Sequence, residues 1–290
     1  MINMDNVMDM VSPPVETNNN NAKHSLKLPI FGRVQFVRDR EGQMCAAIVL
    51  AYWTYGTFIP LFIILIPRYE DGLISLPVFL GFLTVSVLCL LSFFRSSLTN
   101  PGRIPEFSAA EDKDSNWSKC RVCNQMRPPR AHHCRRCGQC VMKMDHHCPW
   151  INNCVGENNH FAFMQLLFYA FLLGLYTFVL VMLHFWVFPK CVACNREAFY
   201  IKHSIWFMYL AFLLSVNMMG MMGVQFCQQH INLISNKTTL EKMINHGGPK
   251  NIQGKCYNSY RQICGQGHPI FWLCPIGRRR PLTAQFQYPV

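Results

Sequence analysis

Four long runs without a single Lys, Arg, Asp or Glu dominate this chain: Met44 to Ile66, Leu73 to Phe94, Phe161 to Phe188 and Ile205 to Cys227, of 23, 22, 28 and 23 residues. A helix rising 1.5 Å per residue needs about 20 residues to cross a hydrocarbon core of about 30 Å. Each run is long enough. Buried helices of a water-soluble protein are a poor alternative, because charged residues make up only 14% of the chain, against the roughly 25% of soluble domains. Four membrane spans are therefore expected. Pro60 and Pro77 fall inside the first two runs and Gly220 and Gly223 inside the fourth, which neighbouring helices of a bundle tolerate.

Orientation follows from the basic residues, 27 against 15 acidic for a net charge of +12. Lys and Arg number five in residues 1–43, ten in Arg95 to His160 and eight after Cys227, against one and three in the other two loops. The positive-inside rule puts both termini and the long middle loop in the cytosol. The expected organisation is a flexible N-terminal tail over 1–43, the first two spans over 44–94, a cysteine-rich domain over 95–160, the last two spans over 161–227 and a C-terminal region over 228–290. The tail lacks the short apolar core of a signal peptide.

The middle loop reads Cys120-x2-Cys123-x9-His133-Cys134-x2-Cys137-x2-Cys140, then Asp145-His146-His147-Cys148-x5-Cys154. Disulfides are rare in a reducing cytosol, whereas Cys-x2-Cys pairs bring two thiolates onto one tetrahedral zinc. Two closed four-ligand sites consume eight groups, and the segment offers seven cysteines and four histidines. Two sites of three cysteines and one histidine leave one thiol over. Spacing alone leaves open an all-cysteine site, or a spare cysteine that does nothing.

Asp145, His146 and Cys148 give a separate reason to expect catalysis. A thiol of pKa about 8.5 is mostly protonated at neutral pH, so an adjacent imidazole that takes its proton creates the nucleophile. A carboxylate fixes the tautomer of that imidazole. Each three-cysteine zinc site carries a net charge of about −1, which opposes a nearby thiolate. Arg130, Arg135, Arg136 and Lys143 stand in sequence where they offset it.

Asp145-His146-His147-Cys148-Pro149-Trp150 followed by Asn152-Asn153-Cys154-Val155-Gly156 resembles the signature of the DHHC family of protein S-acyltransferases. Thr238-Thr239-Leu240-Glu241 resembles that family's Thr-Thr-x-Glu motif, and Asn258 the asparagine of its C-terminal motif. Asn100-Pro101-Gly102 stands where the family usually has Asp-Pro-Gly, and Asn serves a turn about as well. The resemblance implies one zinc on Cys120, Cys123, His133 and Cys140 and a second on Cys134, Cys137, His147 and Cys154. It further implies Cys148 as acylated nucleophile, His146 as its base and Asp145 as orienter, with Thr239, Glu241 and Asn258 in support. Trp150, with Arg135, Arg136 and Lys143, is then expected near the head of acyl-CoA, although Trp150 reads equally as an interfacial belt residue. The fold class expected is all-α and integral to the membrane: a four-helix transmembrane bundle carrying a cytosolic two-zinc domain between the second and third spans.

The implied cofactors are two structural zinc ions, with acyl-CoA as co-substrate. The implied partners are palmitoyl-CoA, the lipid bilayer and proteins with cytosolic cysteines near a membrane. Golgi or endoplasmic reticulum is the implied location, with the plasma membrane also compatible. Nothing in the chain reads as a nucleic-acid module. Transferring a palmitoyl chain into water costs on the order of 10 kcal/mol at about 0.8 kcal/mol per CH2, so the chain should stay in lipid or protein. Leu173 and Gly174, halfway along the third span, are expected to help set chain length. Cys191 and Cys194 lie in a lumenal loop, where a disulfide, two free thiols or a lipidated edge are equally compatible. Two other classes fit less well. A RING-type ligase has its Cys-x-His and final Cys-x2-Cys pairs in an order absent here, and a zinc-folded scaffold with an idle thiol has no need of Asp145 and His146.

Overall fold

The computed structural model describes residues 25–28, 32–35, 37, 39–104, 117–189, 199–244 and 273. Asn258, Cys191 and Cys194 lie outside the described residues. A short antiparallel hairpin, β1 Ser25–Leu28 with β2 Gly32–Gln35, comes first, within the stretch expected to be a flexible tail. It is followed by α1 Arg40–Pro60, α2 Ile66–Glu70 and α3 Leu76–Leu98. Three antiparallel hairpins form the middle loop: β3 Ser118–Cys120 with β4 Gln125–Arg127, β5 His132–Cys134 with β6 Gln139–Val141, and β7 His146–Cys148 with β8 Asn153–Val155. After them come α4 His160–Trp186, α5 Phe199–Lys202, α6 Ser204–Ile234 and α7 Thr239–Met243.

Among the described residues four helical segments, Arg40–Glu70, Leu76–Leu98, His160–Trp186 and Ser204–Ile234, are long and apolar enough to cross a membrane. Their limits differ from the uncharged runs for local reasons. Pro60 has no N–H to donate and its ring crowds the preceding turn. The long first helix continues past it through one π turn over Leu61–Leu65 and then as α2. Pro77 is not in a helix interior, because α3 starts at Leu76 and the proline occupies its first turn, where the missing N–H costs nothing. At the other extreme α6 runs seven residues past Cys227, carrying Gln229 and Asn232 beyond the apolar run.

Helix α4 is the most enclosed span and packs against α3 and α6. Ile48, Phe62, Leu80, Val87, Leu213 and Val224 stay exposed, the expected outer surface of helices that face lipid. Gly174 sits where α4 meets α6: a Cβ there would lie 3.2 Å from Met219 Cγ and 3.3 Å from the Ser215 carbonyl oxygen. Small residues permit such close helix approach in membranes. A larger residue at Gly174 therefore acts on helix spacing as well as on the space beside it.

The hairpins are fastened to the spans through unsatisfied helix ends. The last turn of α3 leaves carbonyls without intrahelical partners. Asn153 Nδ2 donates to the carbonyls of Ser97 and Thr99, both at 2.9 Å, and Asn159 Nδ2 donates to that of Ser96 at 3.0 Å. Ser97 Oγ returns a bond to the Ile151 carbonyl at 2.7 Å. Asn100 accepts from the N–H groups of Gly102 and Arg103 at 3.0 and 2.9 Å, so asparagine makes the turn expected of it. Gly156 closes the corner before α4, since a Cβ there would lie 2.5 Å from the Pro101 carbonyl oxygen.

These bonds generate a stability test. Asn153 is buried, so Asn153→Ala removes an enclosed donor from the half-buried carbonyls of Ser97 and Thr99, at about 1–3 kcal/mol. Thermal denaturation in detergent should show a lower Tm, and an unchanged Tm would mean that the hairpin is held by other contacts.

Candidate active site

Two clusters organise the hairpins. Cys120, Cys123, His133 and Cys140 bring one ligand atom each to within 4.8 Å of one another, and so do Cys134, Cys137, His147 and Cys154. Each set joins the turn of one hairpin to a cross-strand pair of the next: His133 opposes Cys140 in β5–β6, and His147 opposes Cys154 in β7–β8. The chemistry of the donors suits a tetrahedral dication. Bonds of about 2.3 Å imply sulfurs about 3.8 Å apart, and the pairs Cys123–Cys140 and Cys137–Cys154 stand at 3.9 and 3.3 Å. Without a cation these thiols conflict. Hydrogen bonding from Cys137 and Cys154 pulls Cys134 well below the usual thiol range, while bonding to that same Cys134 sulfur pushes Cys137 up to about 12. A shared dication relieves the conflict by stabilising every thiolate at once.

Cys148 is excluded from both clusters by strand geometry. Successive side chains of a strand point to opposite faces, and β7 turns His147 toward the second cluster, so His146 and Cys148 face the other way. That other face is the mouth of a cavity of about 550 Å³ lined by Cys148, His146, Trp150 and Ile151. The cavity runs down α4 along Phe163, Leu166, Leu167, Ala170, Gly174 and Thr177. From Phe163 to Thr177 a helix rises about 21 Å. Its walls are almost wholly apolar.

His146 is held in one orientation. Its Nδ1 lies 2.8 Å from Asp145 Oδ2, and its ring meets Phe163 edge to face at 5.4 Å. Asp145 is 1% exposed yet receives three more hydrogen bonds: from Gln229 Nε2 at 2.8 Å, from the Thr239 N–H at 2.6 Å and from Thr239 Oγ1 at 3.0 Å. Burial alone would raise its pKa. The bond from His146 and the neighbouring histidines outweigh burial and hold the carboxyl well below the usual range. For His146 burial works toward a lower value, but hydrogen bonding to Asp145 and to the Cys148 sulfur raises it to about 9. The imidazole therefore holds a proton avidly while its Nδ1 stays committed to the carboxylate. Such a group can accept a proton from a thiol beside it and keep the resulting charge pair.

Palmitoyltransferase ZDHHC21 of Homo sapiens is 38% identical to this chain over 259 residues, covering 88% of the chain and 97% of its own length. The chain belongs to the DHHC palmitoyltransferase family. The family model, described as DHHC palmitoyltransferase, matches residues 113–246, which include the three hairpins of the middle loop and α7. The Danio rerio protein also named ZDHHC21 is 37% identical over 253 residues, covering 86% and 95% of the two chains. Palmitoyltransferase ZDHHC3 of Homo sapiens is 38% identical over 162 residues, 53% of this chain and 54% of its own.

Of the residues that the DHHC resemblance singles out, the structure gathers the eight cluster ligands, Asp145, His146, Cys148 and Thr239. Trp150 is 48% exposed at the cavity mouth. Lys143, Arg135 and Arg136 do not line the cavity; Lys143 pairs with Glu157 at 2.7 Å, and Arg136 with Glu41 at 2.6 Å and Asp39 at 3.2 Å. Glu241 supports α7. It closes a capping box with Thr238 and takes a bidentate ion pair from Arg130, at 2.6 and 2.9 Å, which ties α7 to the hairpins. Gln229, Asn232 and His160 were not singled out by sequence. Gln229 bridges Asp145 to His160, whose Nε2 is 2.9 Å from Gln229 Oε1, and Asn232 Nδ2 donates to Thr239 Oγ1 at 2.7 Å. A faint signal existed in the polar positions Gln229 and Asn232, spaced i, i+3 just before the Thr-Thr-x-Glu motif.

Glu241 gives a pH test. Burial raises its pKa, but the Arg130 ion pair and the Thr238 N–H outweigh burial and hold it below the ordinary value. A carboxylate depressed in the folded state stabilises fully above its unfolded value of about 4.3, and that contribution disappears as pH falls through the folded value. Glu241→Gln should therefore flatten the acid limb of a Tm-against-pH curve below about pH 4.3. An acid limb as steep as that of the parent protein would contradict the assignment.

Proposed function

We propose that the protein is a protein-cysteine S-palmitoyltransferase that moves a long-chain acyl group from acyl-CoA to substrate cysteines through a thioester on Cys148. The observation that carries this reading is the location of one thiol, outside both four-ligand clusters, at the mouth of an apolar channel and beside an oriented histidine. The channel suits the substrate. A carbon zigzag with bonds of about 1.5 Å advances about 1.25 Å per carbon, so sixteen carbons extend about 19 Å, comparable with the depth along α4. Leu173 and Gly174 lie along that path, and Gly174 governs its width through the α4–α6 spacing.

The reaction runs in two balanced halves. His146 takes the Cys148 proton on the nitrogen not bonded to Asp145, and the thiolate attacks the acyl carbon of acyl-CoA. The carbon–sulfur bond to CoA breaks, and the CoA sulfur leaves with the proton that His146 held. His146 then takes the proton of a substrate thiol, whose sulfur attacks the Cys148 thioester; the acyl carbon–Cys148 sulfur bond breaks, and that sulfur recovers the proton from His146. One thioester replaces another in each half, so the protein contributes orientation and proton transfer rather than driving force. Asp145 keeps His146 in the correct tautomer, and Thr239 and Gln229 keep Asp145 ionised and in place. The acyl chain stays among the spans while the CoA head remains in water, where Trp150 and the basic residues of the hairpins meet it. Zinc is the metal the donor sets suit, and when bound it supplies structural cross-links between successive hairpins. The substrate proteins present cysteines at the cytosolic face of an endomembrane, Golgi or endoplasmic reticulum, with the plasma membrane also compatible.

Incubation of the purified protein with labelled palmitoyl-CoA tests the reading. The expected result is a hydroxylamine-sensitive label that disappears in Cys148→Ser while zinc content stays constant. Label that persists in that variant would overturn the assignment of Cys148.

A further inference from the structure

The second cluster has an incomplete outer layer. His147 Nδ1 stands 3.6, 3.5 and 3.7 Å from the sulfurs of Cys134, Cys137 and Cys154, so Nδ1 is the ligand atom. A neutral imidazole that ligates through Nδ1 carries its proton on Nε2. Among the described residues His147 Nε2 is buried and has no hydrogen-bond partner. A buried N–H without an acceptor is costly, and metal-bound histidines almost always give that proton to a carboxylate, carbonyl or water.

The carboxylate that faces this nitrogen comes from outside the hairpins. Asp39 Oδ2 lies 3.6 Å from His147 Nε2, too long for a hydrogen bond and less than about 1 Å from becoming one. Asp39 occupies the N-cap position of α1, where aspartate ordinarily bonds to the first turn, yet its side chain caps nothing. It is turned instead toward the hairpins, with Arg136 Nη1 at 3.3 and 3.2 Å from its two oxygens. Two contacts fix the backbone beside it. Asn152 Nδ2 donates to the Val37 carbonyl at 3.1 Å, and at Gly42 a Cβ would lie 2.2 Å from Asn152 Oδ1, so a side chain there would have to displace the Asn152 amide.

We propose that Asp39 is a positioning residue of the second metal cluster: it accepts the His147 Nε2 proton and so directs the Nδ1 lone pair to the metal. This rests on the zinc reading given under Proposed function. It makes the first turn of the first span part of the metal site. His147 lies between His146 and Cys148 in β7, so the same contact holds the strand that carries the reacting pair.

Zinc release from the full-length protein in detergent, followed with a chromogenic chelator and with mapping of cysteine alkylation, tests the proposal without reference to activity. The parent protein should hold two zinc ions per chain; a parent protein without zinc would overturn both this proposal and the zinc reading. In Asp39→Ala one ion should leave about 10–100-fold faster, with Cys134, Cys137 and Cys154 becoming alkylated while Cys120, Cys123 and Cys140 stay protected. Asp39→Asn keeps an acceptor oxygen and should fall between, and it decides the matter on the same readout if Asp39→Ala does not fold. Release of both ions at the parent rate, or equal acceleration of both, would overturn the proposal and leave the zinc reading intact. Equal acceleration in Arg136→Gln, which loses the salt bridges but keeps the carboxylate, would assign the effect to the ion pair and overturn it as well.

Discussion

The two-residue period of a single short strand divides the chemistry of this protein. In β7 His147 points to a four-ligand cluster, and its neighbours His146 and Cys148 must point the other way, into the apolar channel. Any slip of one residue in the pairing of β7 with β8 would exchange the faces, giving the cluster the wrong ligands and turning the free thiol away from the channel. Register is therefore the quantity the surrounding structure protects. Asn153, paired opposite Cys148, is bonded to the end of α3, and His147 pairs with Cys154 within its own cluster. A metal on the second cluster would lock the same register from the far side.

Asp145 joins this strand to the rest of the molecule. One buried carboxylate receives hydrogen bonds from His146 on β7, Gln229 on α6 and Thr239 at the start of α7. Leaving any of these elements misplaced would leave part of a buried charge unsatisfied, which is among the costlier faults in a protein interior. The Thr-Thr-x-Glu segment is thus coupled at both ends: Thr239 to Asp145, and Glu241 to Arg130 of the hairpins. The reacting face, the clusters and the fourth span are held as one unit. That arrangement suits a reaction whose only demand on the protein is alignment of a thiol, an imidazole and a lipid thioester.

Much of this was legible in the sequence, and the reasons it was or was not are local. Charge-free runs of membrane length are a strong signal, so the four spans appear where expected; their ends do not, because Pro77 fits a first turn and because α6 continues as a polar helix past Cys227. Cysteine and histidine spacing limited the metal chemistry but could not distribute seven cysteines between two clusters, which the pairing of β5–β6 and β7–β8 does. Gln229, Asn232 and His160 carry no motif. They matter only because α4 and α6 bring them against Asp145 and Thr239, a tertiary fact. Asp39 looked like part of a polar tail, and its place beside His147 depends on Gly42 allowing α1 to approach Asn152. The cations expected near the acyl-CoA head were chosen by charge alone, and sequence could not reveal that Glu41, Asp39 and Glu157 pair with two of them.

The central claim is that Cys148 is the one thiol of its segment free to react. Alkylation of the metal-loaded protein with a small reagent, read by mass spectrometry at each of the seven cysteines between Cys120 and Cys154, tests it most directly. The account requires modification at Cys148 alone, without metal loss, and protection of that site after incubation with palmitoyl-CoA. Resistance of Cys148 together with its neighbours, or release of an ion when it is modified, would contradict the account.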